Sequence, residues 1–109
     1  MVTTTYKVLG QSNPAATTAT TLYTVPSATS AVCSTLSICN TGVSTTYRIA
    51  VRPAGAALDP KHYIVYDAPL NQYDSTLLTL GISLATTDIV TVYAGHANVA
   101  FSLFGGELT

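Results

Sequence analysis

Charge is what this sequence has least of. Aspartate, glutamate, lysine and arginine make up only 8% of its 109 residues, and the formal net charge is −1. A typical soluble domain carries about 25% charged residues. Because weakly charged surfaces repel one another little, proteins of such composition tend to associate. The composition therefore predicts a protein that works within an assembly, and four basic side chains are too few for nucleic-acid binding.

Long apolar runs are also missing. No stretch of about 20 apolar residues is present, so we expect no transmembrane helix and no membrane partner. Residues 1–7 do not combine a basic segment with an apolar stretch, which argues against a secretory signal. The sequence thus predicts a protein made in a cytoplasm.

Cysteine pairs that could bond are absent as well. Cys33 and Cys39 lie six residues apart in one strand-like run, which places them ~20 Å apart if the strand is regular. A disulfide needs Cα atoms within about 7 Å of each other. We therefore expect two small apolar thiols; a redox or intersubunit role is the alternative.

Short β-strand patterns fill the chain instead, and threonine is its commonest residue. In segment 46–52, Tyr47, Ile49 and Val51 alternate with Arg48, Ala50 and Arg52. One apolar face per strand is typical of antiparallel sheets, and two such sheets packed together give a sandwich. We predict an all-β, antiparallel, jelly-roll-like β-sandwich of about eight strands. The predicted strands are 5–9, 21–25, 31–39, 46–52, 61–66, 75–80, 89–93 and 98–104.

The domain organisation follows from composition and turn signals. Residues 1–20 are rich in threonine and alanine and are predicted to be an N-terminal arm or an edge segment. Residues 21–109 are predicted to form a single β-sandwich domain. Asn40, Thr41 and Gly42 favour a turn, so we expect the strands before and after them to form a hairpin.

Residue patterns that carry catalysis are not found. His62 and His96 lack the short spacing of a metal site, and a solvated or hydrogen-bonded role is the expectation for each. Asp67, Asp74 and Asp88 stand beside turns, where aspartate bonds backbone N–H groups. Neither a nucleophile elbow nor a phosphate-binding glycine loop is present. We therefore expect no enzyme activity and no catalytic, metal or cofactor site.

The sequence does offer candidate residues for contact with a partner protein. Arg48 and Arg52 lie four apart, hence on one strand face about 13 Å apart. They are candidate anchors for carboxylates of a neighbouring subunit, and two solvated arginines are the alternative.

Tyrosine, which is enriched at protein interfaces, occurs seven times. Tyr63 and Tyr66 are candidate partner-binding residues, predicted to face opposite sides of their strand. Carbohydrate binding stays open, although the chain has no tryptophan and no local cluster of tyrosine with aspartate.

Five segments are similar to small β-sandwich virion proteins of tailed bacteriophages, including those of cyanobacterial phages. These segments are 22–26 (LYTVP), 39–42 (CNTG), 47–55 (YRIAVRPAG), 62–67 (HYIVYD) and 98–105 (NVAFSLFG). The resemblance extends from about residue 21 to residue 107 and implies a virion component without catalytic residues. The patterns LYTVP and NTG recur in several kinds of phage structural β-domain, on capsids and tails alike, so the resemblance leaves the location in the virion open.

Three functions are therefore weighed. The first is a capsid decoration, or cement, protein that binds the major capsid protein and acts as a homo-oligomer, either a trimer or a dimer. The second is a tail, baseplate or fibre-associated component of the virion. The third is a free carbohydrate-binding module, which the low charge disfavours.

Overall fold

A computed structural model describes residues 3–109, apart from the side chain of Leu80. The described chain is built almost entirely from β-strands. Two short 3₁₀ turns, Pro53–Gly55 and Pro60–His62, lie between the fourth and fifth strands. The strands are β1 (Thr4–Ser12), β2 (Thr20–Thr24), β3 (Ser30–Asn40), β4 (Thr45–Arg52), β5 (Tyr63–Leu70), β6 (Ser75–Leu84), β7 (Ile89–Ala94) and β8 (Val99–Leu108).

These strands form two antiparallel sheets that pack face to face. The first sheet has the order β1-β8-β3-β6 and the second has the order β2-β7-β4-β5. Strands pair as β1 with β8, β2 with β7, β3 with β6 and β4 with β5. Such pairing describes one long antiparallel ribbon that is rolled up, with β3–β8 and β4–β7 contacts closing the roll. The predicted all-β, jelly-roll-like sandwich is confirmed.

The core between the sheets follows the alternation seen in the sequence. On β8, Val99, Phe101 and Leu103 are buried, and on β4 the same holds for Tyr47 and Ile49. Burying alternate residues of each strand removes their apolar surface from water, at roughly 25 cal/mol per Å². The period of two therefore decides which side of each strand faces the other sheet.

The predicted hairpin across residues 40–42 is wrong. β3 belongs to the first sheet and β4 to the second, so the chain crosses from one sheet to the other at this turn. Asn40 is buried, and its side-chain amide donates to the carbonyl oxygens of Val43, Leu70 and Asn71 at 2.7, 3.3 and 3.1 Å. These bonds tie the crossing to the turn after β5. A hairpin and a sheet-to-sheet crossing both place alternate apolar residues in the core, so the pattern alone does not separate them.

The N-terminal segment occupies an edge position. Strand β1 lies antiparallel to β8, and Thr3 and Thr109 exchange backbone hydrogen bonds at 2.7 and 2.9 Å. The sandwich therefore includes a strand that precedes the predicted domain start at residue 21. Met1 and Val2, the first residues of the predicted arm, lie outside the described part of the chain.

Both cysteines are free thiols, as the strand geometry predicts. Cys33 is buried and Cys39 is half-buried. Among residues 3–109, no helix has the length and apolar character needed to cross a membrane.

Candidate functional site

Tyr63 and Tyr66 lie side by side on the outer face of the second sheet. Their ring centroids are 4.9 Å apart, with the rings nearly perpendicular at 83°. The prediction that they face opposite sides is wrong because β5 is bulged: Val65 pairs with Ile49, and Tyr63 pairs with Ala50. One extra residue between these pairs, Ile64, reverses the alternation and returns Tyr63 to the side of Tyr66.

Arg48 is held against this pair of rings. Its Nε lies 2.6 Å from Oδ1 of Asp67 and its Nη2 lies 3.3 Å from Oδ2, which makes the ion pair bidentate. The guanidinium carbon lies 4.3 Å from the ring centroids of both Tyr66 and Tyr93. The hydrogen bond to Asp67 is the main cause that raises the pKa of Arg48 above its already high ordinary value. We call Arg48, Tyr63, Tyr66, Asp67 and Tyr93 the Arg48 cluster.

The ion pair with Asp67 bears on the prediction that Arg48 anchors a carboxylate of a neighbouring subunit. The fork of Arg48 already binds a carboxylate of its own chain, so a partner's carboxylate would have to displace Asp67. What the cluster offers to a partner is a rigid aromatic surface, with Tyr66 59% exposed. Arginine stacked on aromatic rings is typical of protein contacts.

Arg52 is not brought into the cluster. It pairs with Ile89, at the far end of β4, whereas Arg48 pairs with Tyr93. Within the described residues, the buried Nε of Arg52 has no hydrogen-bond partner. The two arginines therefore occupy different environments, and the structure does not join them in one site.

An open cleft of about 650 Å³ adjoins the tyrosine pair. Leu58, Asp59, Pro60, Tyr63 and Tyr66 line it. Its wall is the second 3₁₀ turn, where Asp59 Oδ1 accepts a hydrogen bond from the backbone N–H of Lys61 at 3.2 Å. The cleft therefore combines apolar and aromatic walls with a carboxylate that is already used to cap a turn.

His62 and Asp88 accept hydrogen bonds from backbone N–H groups and so stabilise turns. His62 is buried, and its Nδ1 accepts a hydrogen bond from the backbone N–H of Asp59, as expected for a hydrogen-bonded histidine. Asp88 accepts bonds from the backbone N–H groups of Ala54 and Ala85, which confirms its predicted turn role. Asp67 differs, because it pairs with Arg48. In the part of the chain that the structure describes, no three histidine, cysteine or acidic side chains gather as a metal site would require.

The first sheet contains few charged residues, and its outer face is largely apolar. Its four strands contain only two charged residues, Lys7 and Glu107, whose Nζ and Oε1 atoms are 2.7 Å apart. Glu107 also accepts a hydrogen bond from Tyr23 of the second sheet, and its side chain is only 12% exposed. The Lys7 side chain, in contrast, is 47% exposed. The outward positions carry Tyr6 and Val8, 85% and 48% exposed, and Val32 and Phe104, 41% and 37% exposed.

This surface also contains an open depression of about 740 Å³, which we call the hollow. Tyr6, Lys7, Val8, Val32 and Phe104 are among the residues that line it, so the depression borders the ion pair of Lys7 with Glu107. We call the outward-facing residues of the first sheet the uncharged face. The sequence carries a signal for it, since Phe104 is an apolar residue on the outward side of β8, but sequence reasoning did not single this surface out.

Comparisons with protein-family models, with curated proteins and with solved structures find no match to this chain.

Proposed function

We propose that this protein is a non-enzymatic virion structural protein, of the capsid-decoration or cement type. In this role it binds the outer shell and stabilises contacts between capsid subunits. The observation that carries the proposal is that two surfaces suited to protein contacts lie on opposite outer faces of one small sandwich. A protein that fastens its neighbours together needs contact surfaces on more than one side.

The uncharged face supports this role through its low cost of desolvation. Burying a charged group without a partner is expensive, whereas apolar area gains roughly 25 cal/mol per Å² when it leaves water. Exposed side chains such as Tyr6, Val8 and Phe104 are therefore better suited to a protein contact than to solvent. Contiguous apolar patches of this kind mark interaction sites.

The Arg48 cluster supports the role in a different way. Tyr66 is stacked on Arg48 and touches the edge of Tyr63, so its ring is held before any partner arrives. A side chain that is already ordered loses little conformational entropy on binding. The major capsid protein is the partner that we assign to this surface, in agreement with the resemblance to phage virion proteins.

The test is the number of copies per particle. Quantitative mass spectrometry on purified virions from the virus that encodes the chain would compare it with the major capsid protein. We expect a ratio near one to one, or a simple fraction set by the symmetry of the shell. A few copies to a few dozen per particle would overturn the decoration role in favour of a tail or baseplate component. Absence from the particle would overturn the structural role altogether.

A further inference from the structure

We propose that Arg52 is the residue at which a carboxylate of a partner protein binds, on the same outer face as the Arg48 cluster. The inference deepens the proposed function and rests on it for the identity of the partner, the major capsid protein. Three properties of Arg52 support it. Its Nε is buried without an acceptor, the described residues supply no counter-ion, and exposed aromatic rings lie on the same face.

Arg52 is the last residue of β4 and lies on the outer face of the second sheet. Ile49 and Val51 pack into the core, so Arg52, which is next in the alternation, points away from it. Ala50 shares this face, and Thr91 of the neighbouring strand β7 pairs with Ala50. Thr91 and Arg52 are therefore diagonal neighbours, about 7–8 Å apart, which is within reach of a side chain as long as arginine.

Two polar atoms in this part of the face are buried without a partner. The Nε of Arg52 and the Oγ1 of Thr91 are shielded from solvent, and neither has a hydrogen-bond partner within the described residues. Thr91 is only 6% exposed although it points away from the core, so side chains of the outer face cover it. Buried donors and acceptors are nearly always paired, and two neighbouring unpaired ones are unusual. The guanidinium of Arg52 is thus partly dehydrated, and no bond from its Nε fixes it.

No acidic group among the described residues neutralises Arg52 by direct contact. Their two ion pairs involve other residues. Asp88 is one position from Ile89, the cross-strand partner of Arg52. However, its Oδ1 and Oδ2 already accept hydrogen bonds from the backbone N–H groups of Ala54 and Ala85, at 2.8 and 2.9 Å. A partly dehydrated cation without a counter-ion destabilises a fold, and a carboxylate from outside would compensate it.

A carboxylate suits this position better than a phosphate group does. It carries one negative charge, which one guanidinium balances, and its two oxygens match two parallel N–H donors. A phosphate carries more charge and favours several donors, but Arg48, the other arginine of this face, is already bound to Asp67. Because Nε is covered, the carboxylate would bind at the two outer nitrogens of Arg52, Nη1 and Nη2.

Arg52 and the Arg48 cluster can contact the same partner. Arg48 and Arg52 lie ~13 Å apart along one face of β4. Beside Arg48, the ring of Tyr66 is 59% exposed and offers apolar area. A charged hydrogen bond at Arg52 would fix the register in which a partner settles on this ring. Of the two arginines, Arg52 is the one that is open to a partner's carboxylate, since Asp67 fills the fork of Arg48.

NMR spectroscopy of the full-length chain tests the site directly, with hexaglutamate peptide as the probe. We expect the Nε–H resonance of Arg52 to shift and saturate at millimolar peptide, and that of Arg48, which is bonded to Asp67, to move much less. Sodium chloride at equal ionic strength is the control and should not reproduce the shift. Arg52→Lys keeps the charge without the planar fork, so binding followed by the backbone amide of Thr91 should weaken at least ~10-fold.

Arg52→Met separates a binding residue from a structural one. Methionine keeps an unbranched apolar chain without the charge, so the free energy of unfolding in urea should stay unchanged or rise. Lys61→Met is the matched control, because it removes one positive charge from an exposed position in the second 3₁₀ turn. In virions, we expect several-fold fewer copies of Arg52→Met per particle and an unchanged number for Lys61→Met.

Three results would overturn the inference. These are an Arg52 resonance that does not respond to hexaglutamate, a loss of stability on Arg52→Met that exceeds the loss on Lys61→Met, and incorporation of Arg52→Met at the wild-type level. The last result in a chain present at the expected copy number would leave the proposed function intact. Conversely, a chain that binds hexaglutamate through Arg52 but is absent from virions would support the carboxylate site and reject the virion role.

Discussion

The carboxylate of Glu107 accepts a hydrogen bond from the hydroxyl of Tyr23, and this bond joins the two sheets of the sandwich. Glu107 belongs to β8 of the first sheet, and Tyr23 belongs to β2 of the second. Lys7 of β1 completes the arrangement from the edge of the first sheet, and the Glu107 side chain is only 12% exposed. The two charged residues of the first sheet are therefore used to hold the sandwich together.

Removing the Tyr23 hydroxyl should weaken the fold. Tyr23→Phe keeps the buried ring but leaves one oxygen of Glu107 without its donor, which should lower the free energy of unfolding by ~1–2 kcal/mol. Urea denaturation would measure the change. Tyr73→Phe is the control, because Tyr73 is 76% exposed and its change should stay within about 0.5 kcal/mol. Equal effects of the two variants would argue against a structural role for the bond between sheets.

The same carboxylate predicts a dependence of stability on pH. The pKa of Glu107 is lowered from its usual 4.5, first by the hydrogen bond from Lys7 and second by that from Tyr23, while burial acts in the opposite direction. A group whose pKa is lower in the folded state stabilises fully above its unfolded pKa, and this contribution is lost as the pH falls through the folded value. Wild-type protein should therefore lose stability below about pH 4.5 more steeply than Glu107→Gln. Urea titrations across this range would test it, and parallel curves would contradict it.

A variant of the Arg48 cluster tests the proposed contact with a capsid shell. Arg48→Ala frees Asp67 and removes the support beneath Tyr66, so we expect several-fold fewer copies per particle with the fold retained. Lys61→Ala removes the same charge from an exposed position in the second 3₁₀ turn and should leave the copy number unchanged. If both variants are incorporated like wild type, the cluster is not a contact surface.

The two thiols should differ in reactivity. Cys33 is buried, and burial raises its pKa to about 11, so little of the reactive thiolate is available. Cys39 is half-buried and should be the first to react with Ellman's reagent in native protein. Cys39→Ser should abolish this fast reaction, and urea should then expose Cys33. Fast labelling of native Cys39→Ser would show that the core opens more readily than its packing indicates.

The fold class could be predicted because strand alternation is a local property. Val99, Phe101 and Leu103 indicate the buried side of β8 without any knowledge of its neighbours. Sheet membership is not local, which is why the residues around Asn40 predict a hairpin although the chain crosses between the sheets there. There, bonds to residues about 30 positions away decide the path of the chain.

The candidate site could be predicted only in part. Arg48, Tyr63 and Tyr66 were nominated, but the bulge at Ile64 that unites the two tyrosines has no distinct residue signature. Asp67 was expected to cap a turn, and its pairing with Arg48 spans 19 residues. The low charge of the chain follows from composition, whereas the pairing of Lys7 with Glu107, 100 residues away in the chain, depends on the rolled topology.

That rolled ribbon also sets the order in which its strands can meet. Among the ribbon's pairs, only β4 and β5 are consecutive in the chain, and each further pair encloses the one before it, ending with β1 and β8. Closing a long loop costs more entropy than a short one, so the outer pairs become accessible once the inner ones exist. Tyr6 and Val8 reach Gly106 and Phe104 in the final step. The outer face of the first sheet is therefore complete only when β1 has paired with β8.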